Sequence, residues 1–300
     1  MAAVIETREL GKRYGSRWAL ADCTLSIPSG QVVGLVGPNG AGKTTLLHLA
    51  TGLLAPTTGT IEVAGGQPAI SAAQLARVGF VAQDTPAYAG LSIADHLRLG
   101  AHLNPGWDAR LARDRIRKLG LDRGQKAGKL SGGQRAQLAL TLAIAKRPAL
   151  LILDEPVAGL DPLARRDFLQ DLTEVTAGHQ TSVVLSSHLV ADLERACDYL
   201  IVLAAGRVQV AGEVSELLAA HRLVTGPRRE PATPATLPAG WQIIFASHAG
   251  GRTSMLVRVD GPVHGPSWTV APAGLEDLVL AYMSRVPQAP VHTQTLEAIR

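Results

Sequence analysis

The stretch Gln31-Val-Val-Gly-Leu-Val36-Gly37-Pro38-Asn39-Gly40-Ala41-Gly42-Lys43-Thr44-Thr45 decides the fold. From Gln31 to Val36 the run is apolar and rich in β-branched residues, the pattern of a strand buried in a parallel sheet. Gly37 to Thr44 fits GxxxxGK[ST], and Thr44 to Thr51 reads as a helix. A strand before the loop and a helix after it separate this motif from a chance glycine-rich turn carrying an exposed Lys. Its glycines let the backbone wrap with N–H groups pointing inward, which makes a nest for an anion. The helix N-terminus adds partial positive charge at the same point. Lys43 supplies a mobile point charge suited to β- and γ-phosphates, and the Thr44 hydroxyl suits Mg²⁺.

Leu150-Leu-Ile-Leu-Asp154-Glu155 is a second buried strand, and it ends in two acids. Asp154 falls at the strand's carboxyl end, where it is expected to hold Mg²⁺ near the phosphates. Glu155 points to the other side and is expected to polarise a water as general base. Ser182 to Leu185 is a further buried run, and Leu200–Leu203 with Val208–Val210 flank an Ala-Gly-Arg turn as a hairpin. Between these parallel runs, from about 90 to 147, the texture is helical. Ser92 with Asp95 forms a capping-box pattern, Asn104-Pro105-Gly106 a turn, Asp108 to Leu119 a basic amphipathic helix, and Gln134 to Lys146 another helix.

The rest of the chain bounds the possibilities. A hydrophobic fraction of 46% with 18% charged residues supports a buried core, and a net charge of +4 is too mild and unclustered to imply nucleic acid. Cys23 and Cys197 make neither a disulfide framework nor a zinc spacing, so a reducing compartment is expected. The N-terminal residues lack a basic region followed by an apolar run, so no signal peptide is expected, and no apolar run approaches the ~20 residues of a membrane span. Pro227, Pro231, Pro234 and Pro238 mark 221–238 as a linker. Beyond it, 239–300 reads as a small α+β accessory domain, with strands at Trp241–Phe245 and Met255–Val259 and a helix carrying Leu275, Leu278, Val279 and Tyr282 on one face.

Leu130-Ser131-Gly132-Gly133-Gln134, placed ahead of the acidic strand, resembles the signature of the ABC ATPase family. Physically it is a second anion site at a helix N-terminus. The resemblance covers roughly residues 4 to 220. It implies a P-loop NTPase core of α/β class with an inserted helical subdomain, within a cassette of 1–220, carrying the C-terminal appendage. It implies ATP and Mg²⁺ as cofactors and ATP hydrolysis as the activity. Tyr14 resembles the aromatic that stacks on adenine, Gln83 the glutamine that touches Mg²⁺, His188 the switch histidine at the γ-phosphate, and Asp161 the loop that crosses a dimer interface. Ala158 stands where many relatives have Ser. The family packs two cassettes head to tail, so Ser131 to Gln134 are expected to cover the ATP held by a second copy's loop. Because both acids, the signature and the histidine are all present, a homodimer with two active sites is expected.

With no span of its own, the chain is expected to drive an integral-membrane permease from the cytoplasmic face. It has one cassette, no long coiled-coil insert and no zinc cysteines, which disfavours a soluble ABC protein acting on ribosome or DNA. The Pro-Gly-Trp107-Asp108 stretch and Leu275-Glu-Asp-Leu-Val-Leu280 resemble exporters of drugs, antibiotics or lipids; an importer is the alternative.

Overall fold

The computed structural model describes residues 3–84, 87–177, 181–227, 241–259 and 268–285. Its central sheet has six strands, in the order β5 (Val78–Val81), β6 (Leu150–Asp154), β7 (Ser182–Ser187), β3 (Val32–Val36), β8 (Tyr199–Ala204) and β9 (Arg207–Glu213). The first five run parallel, and only β9 is antiparallel, as the turn side of the expected hairpin. Every residue of β6 and of β7 is buried, which is why both read as unbroken apolar or small runs rather than alternating ones. Gly37, Glu155 and His188 directly follow β3, β6 and β7, so three separate motifs emerge at one edge, the carboxyl ends of parallel strands.

A second, antiparallel sheet covers one face, in the order β2 (Arg17–Pro28), β1 (Ala3–Tyr14) and β4 (Thr58–Val63). Helix α1 (Lys43–Thr51) lies between the two sheets, and Leu10, Leu20, Leu35, Leu47 and Ile152 share one core there. The sequence reading leaves this sheet unassigned. Its long strands carry several register shifts, and such bulges break the alternation that marks a half-buried strand.

The short α2 (Ala72–Ala76) precedes β5, and the helical insert then holds α3 (Ile93–Leu103), α4 (Ala109–Lys118) and α5 (Gly132–Ala145) around Ile93, Ile116 and Leu138. The Ser92/Asp95 box is formed on both sides and draws the Asp95 carboxyl down to about 2, chiefly through the Ser92 hydroxyl. Buried Arg115 donates to Gln137 and Thr141 and lies 3.7 Å from Asp171, which ties α4 and α5 to α6 (Pro162–Ala177).

The C-terminal part shows the expected strands and helix and differs from expectation only at its start. The proline-marked segment does not begin as a linker: His221–Pro227 is strand β10, paired with β12 (Arg252–Val259) and β13 (Thr269–Pro272) in a four-stranded sheet that β11 (Trp241–Ala249) completes. Pro227 stands at the strand's last position, where a missing N–H is tolerated. Residues 228–240, with the remaining linker prolines, and 286–300 lie outside the described residues. Helix α8 (Val214–Ala220) runs straight into β10, and α9 (Leu275–Ser284) buries Leu275, Leu278, Val279 and Tyr282. Those side chains join the same core as Leu193, Leu200 and Val202 of the larger domain.

Candidate nucleotide site

The loop after β3 closes over a cleft of about 900 Å³. Tyr14, Gly37, Pro38, Asn39, Gly40, Ala41, Gly42, Lys43, Thr44, Thr45, Gln83, Glu155 and His188 all line it, together with Arg17, Ala19 and Met283. Thirteen residues singled out from sequence therefore meet at one place, although they come from five separate segments of the chain. The loop's shape needs glycine at specific points. Gly42 caps α1 at φ 105°, and a Cβ there would stand 2.5 Å from the Ala19 carbonyl oxygen. At Gly37 a Cβ would come within 2.2 Å of the Leu203 carbonyl oxygen. Both are contacts no side chain survives without moving backbone.

Lys43 is only 6% exposed and sits at the cleft floor. Its Nζ donates to the Gly37 carbonyl at 2.8 Å, which locks the loop, and faces Glu155 Oε1 at 3.5 Å. The other Glu155 oxygen, Oε2, lies 3.2 Å from His188 Nδ1. Lys43, Glu155 and His188 thus form one chain of charge and hydrogen bonding across the cleft. Glu155 holds φ 46°, the left-handed region that a non-glycine residue occupies only under local strain. The strain sits where the acid turns out of β6 toward the cleft.

Asp154 lies beneath this layer and is 2% exposed. Its Oδ1 accepts from Ser186 Oγ at 2.7 Å, and Ser186 Oγ accepts from the Glu155 N–H at 2.8 Å. Ser186 therefore fixes both acids, a role that sequence reading passed over because a small hydroxyl at a strand end carries no signal of its own. Thr44, Gln83 and Asp154 offer hydroxyl, amide and carboxylate oxygens only, a donor set that fits a hard cation such as Mg²⁺.

The signature residues lie elsewhere. Ser131 caps α5, accepting from the Gln134 N–H at 3.2 Å while Gln134 Oε1 accepts from the Ser131 N–H at 3.0 Å. Ser131, Gly132 and Gln134 are exposed and do not line the cleft. Gly133 packs beside Ala164 and Gly132 beside Leu160, so the signature abuts the Asp161 loop. Asp161 caps α6 by accepting from the N–H groups of Leu163 and Ala164.

Three cleft residues, Arg17, Ala19 and Met283, were missed from sequence. Arg17 faces Tyr14 across the tight turn that joins β1 to β2, and both project into the cleft. A Cβ at Gly40 would lie 3.7 Å from Arg17 Nη2. Only the hairpin register reveals this. Met283 reaches the cleft from α9, far away in sequence.

A glycine-rich loop opening a helix, an adjacent carboxylate and a detached second glycine-rich helix start are the features of an ATPase cassette. The comparisons agree. The family described as "ABC transporter" matches residues 20–158. The thiamine import ATP-binding protein ThiQ of Salmonella choleraesuis (strain SC-B67) is 35% identical over 202 residues, covering 65% of this chain and 85% of that protein. The Nod factor export ATP-binding protein I of Cupriavidus metallidurans is 35% identical over 227 residues, covering 73% of this chain and 74% of that protein. A solved ATP-binding subunit of an ABC transporter superposes with a TM-score of 0.65 at 29% identity, over 72% of this chain and 92% of its own. The chain belongs to the ATP-binding subunits of ABC transporters, and its activity is ATP hydrolysis in the service of transport.

Proposed function

We propose that two copies of this chain bind two ATP molecules head to tail, each cleft covered by the other copy's Ser131 to Gln134. The observation that carries this reading is the split itself: the cleft floor is complete, and the second anion-binding helix start lies exposed and away from it. In the cleft, the loop amides and Lys43 hold the phosphates and Tyr14 stacks on the base. Glu155 accepts the proton of the attacking water, while His188, held by Glu155, positions the γ-phosphate. Thr44, Gln83 and Asp154 would hold Mg²⁺, which supplies charge neutralisation to the phosphate oxygens. Catalysis then rests on positioning and electrostatics, as phosphoryl transfer to water requires. Loss of the γ-phosphate removes the contacts that bridge the two copies and loosens the dimer.

Arg17 extends this reading. Its guanidinium stands at the cleft wall beside Gly40 and forms no ion pair among the described residues, so the triphosphate is its natural counter-charge. Arg17→Ala is expected to weaken ATP binding about tenfold, the low end for an exposed charged contact. AMP binding should change little, and Arg17→Lys should recover part of the loss. Equal weakening for ATP and AMP in a fluorescence titration would remove Arg17 from the phosphate site.

The partner is an integral-membrane permease. An open groove of about 680 Å³ between α1, β5 and α3 supports this, because exposed Leu53, Leu75, Tyr88, Leu99 and Leu103 line it. Apolar side chains gathered in one groove suit the apolar face of a partner helix. Among the described residues no helix is long and apolar enough to cross a membrane, so placement at the cytoplasmic face would come through the permease. Export is the proposed direction, supported by the longer match to the Nod factor exporter subunit and by the Trp107 and tail resemblances. Residues 1–220 act as the cassette and the C-terminal part as an accessory module. Leu103→Glu is expected to abolish co-purification with the permease while leaving ATP binding intact; undiminished co-purification would move the docking surface elsewhere.

A further inference from the structure

We propose that the C-terminal helix α9 belongs to the nucleotide site, with Met283 as an apolar wall that contacts bound nucleotide. This rests on the ATP-cleft reading and extends it to the C-terminal part of the chain. Met283 lines the cleft with His188, Glu155 and the phosphate loop, and is itself half-buried. Its position is rigidly set. The neighbouring Tyr282 is 3% exposed, and its hydroxyl lies 3.0 Å from His221 Nε2 at the start of β10. His221 Nδ1 lies 2.6 Å from the Leu217 carbonyl oxygen, so it donates to α8 while its Nε2 accepts from Tyr282. That fixes the tautomer and clamps α9 to the root of the accessory sheet.

The other faces of α9 complete the link. Leu278 and Val279 pack with Leu193 of α7 (Val190–Glu194), the short helix that directly follows His188. They also share their core with Ile244 and Leu256 of the accessory sheet. One helix thus touches the cleft through Met283, the histidine's supporting helix through its buried face, and the accessory sheet through the same core. Packed interiors transmit such displacement because they contain no slack. Occupancy of the cleft is therefore felt by the accessory sheet, and load on that sheet is felt at the nucleotide.

The test is hydrogen exchange and steady-state kinetics on the full chain. Saturating MgATP should slow exchange in 37–51 and also in 275–284. Met283→Ala should raise KM for ATP about tenfold with kcat within about twofold, as loss of one apolar contact implies. It should also erase the response of 275–284 while keeping that of 37–51. Met283→Leu should restore both. Three results overturn the proposal: no nucleotide response in 275–284 while 37–51 responds, wild-type KM in Met283→Ala, or a fall in kcat alone. Absence of any response in 37–51 would instead strike at the ATP-cleft reading.

Discussion

Glu155→Gln is expected to cut ATP hydrolysis by about a hundred- to ten-thousandfold, the range for loss of a positioned general base. Glutamine keeps the size of the side chain and its contact with His188, but it cannot take a proton from water. The strained backbone at φ 46° is unchanged by the swap, and the Ser186 hydrogen bond to the residue 155 N–H survives it. Binding should persist, because Lys43 loses an anionic neighbour at 3.5 Å and faces the phosphates with less competition. The variant should therefore accumulate as an ATP-bound dimer that does not relax. Phosphate release measured beside sedimentation velocity checks both halves, and normal turnover would remove Glu155 from the role of base.

Lys43→Ala is expected to fail earlier, at binding. The ammonium is buried and holds the loop through the Gly37 carbonyl, so its removal deletes the phosphate contact and also the clamp that shapes the nest. It further leaves Glu155 facing the phosphates without a cation between them, and like charges at that range repel strongly in a shielded site. ATP affinity should fall about a hundredfold. ATP-driven association should disappear with it, since no bound nucleotide remains to bridge two copies. Lys43→Arg should not rescue, because a planar fork cannot occupy a pocket shaped for a point charge. Titration of a fluorescent ATP analogue checks the prediction; unchanged affinity in Lys43→Ala would refute it.

Most of the cleft was legible because its motifs are local. The loop from Gly37 to Thr45 is one continuous segment whose glycines, Lys and Thr each have a separate physical reason. Leu150 to Glu155 reads as buried because both faces are apolar until the acids begin. The parts that were not legible depend on pairing across distance. Arg17 acquires meaning only when β1 and β2 register it opposite Tyr14. Ser186 does so only when parallel pairing sets β7 beside β6. Met283 needs α9 to pack against the cassette core, and its helical face was visible in sequence without any indication of what would cover it. The prolines after Arg222 suggested a linker, yet the β-branched and apolar Leu223, Val224 and Thr225 ahead of Pro227 suit a strand, and cross-strand pairing with Ser254 to Leu256 decided the outcome.

Each cleft is proposed to be finished by a second copy's signature. Ser131→Arg placed in the Glu155→Gln background tests it, because Ser131 is exposed and outside the cleft of its own chain. Sedimentation velocity with saturating MgATP should show the Glu155→Gln protein as a dimer and the double variant as a monomer that still binds ATP in its own cleft. A double variant that dimerises with ATP as readily as Glu155→Gln alone would contradict it.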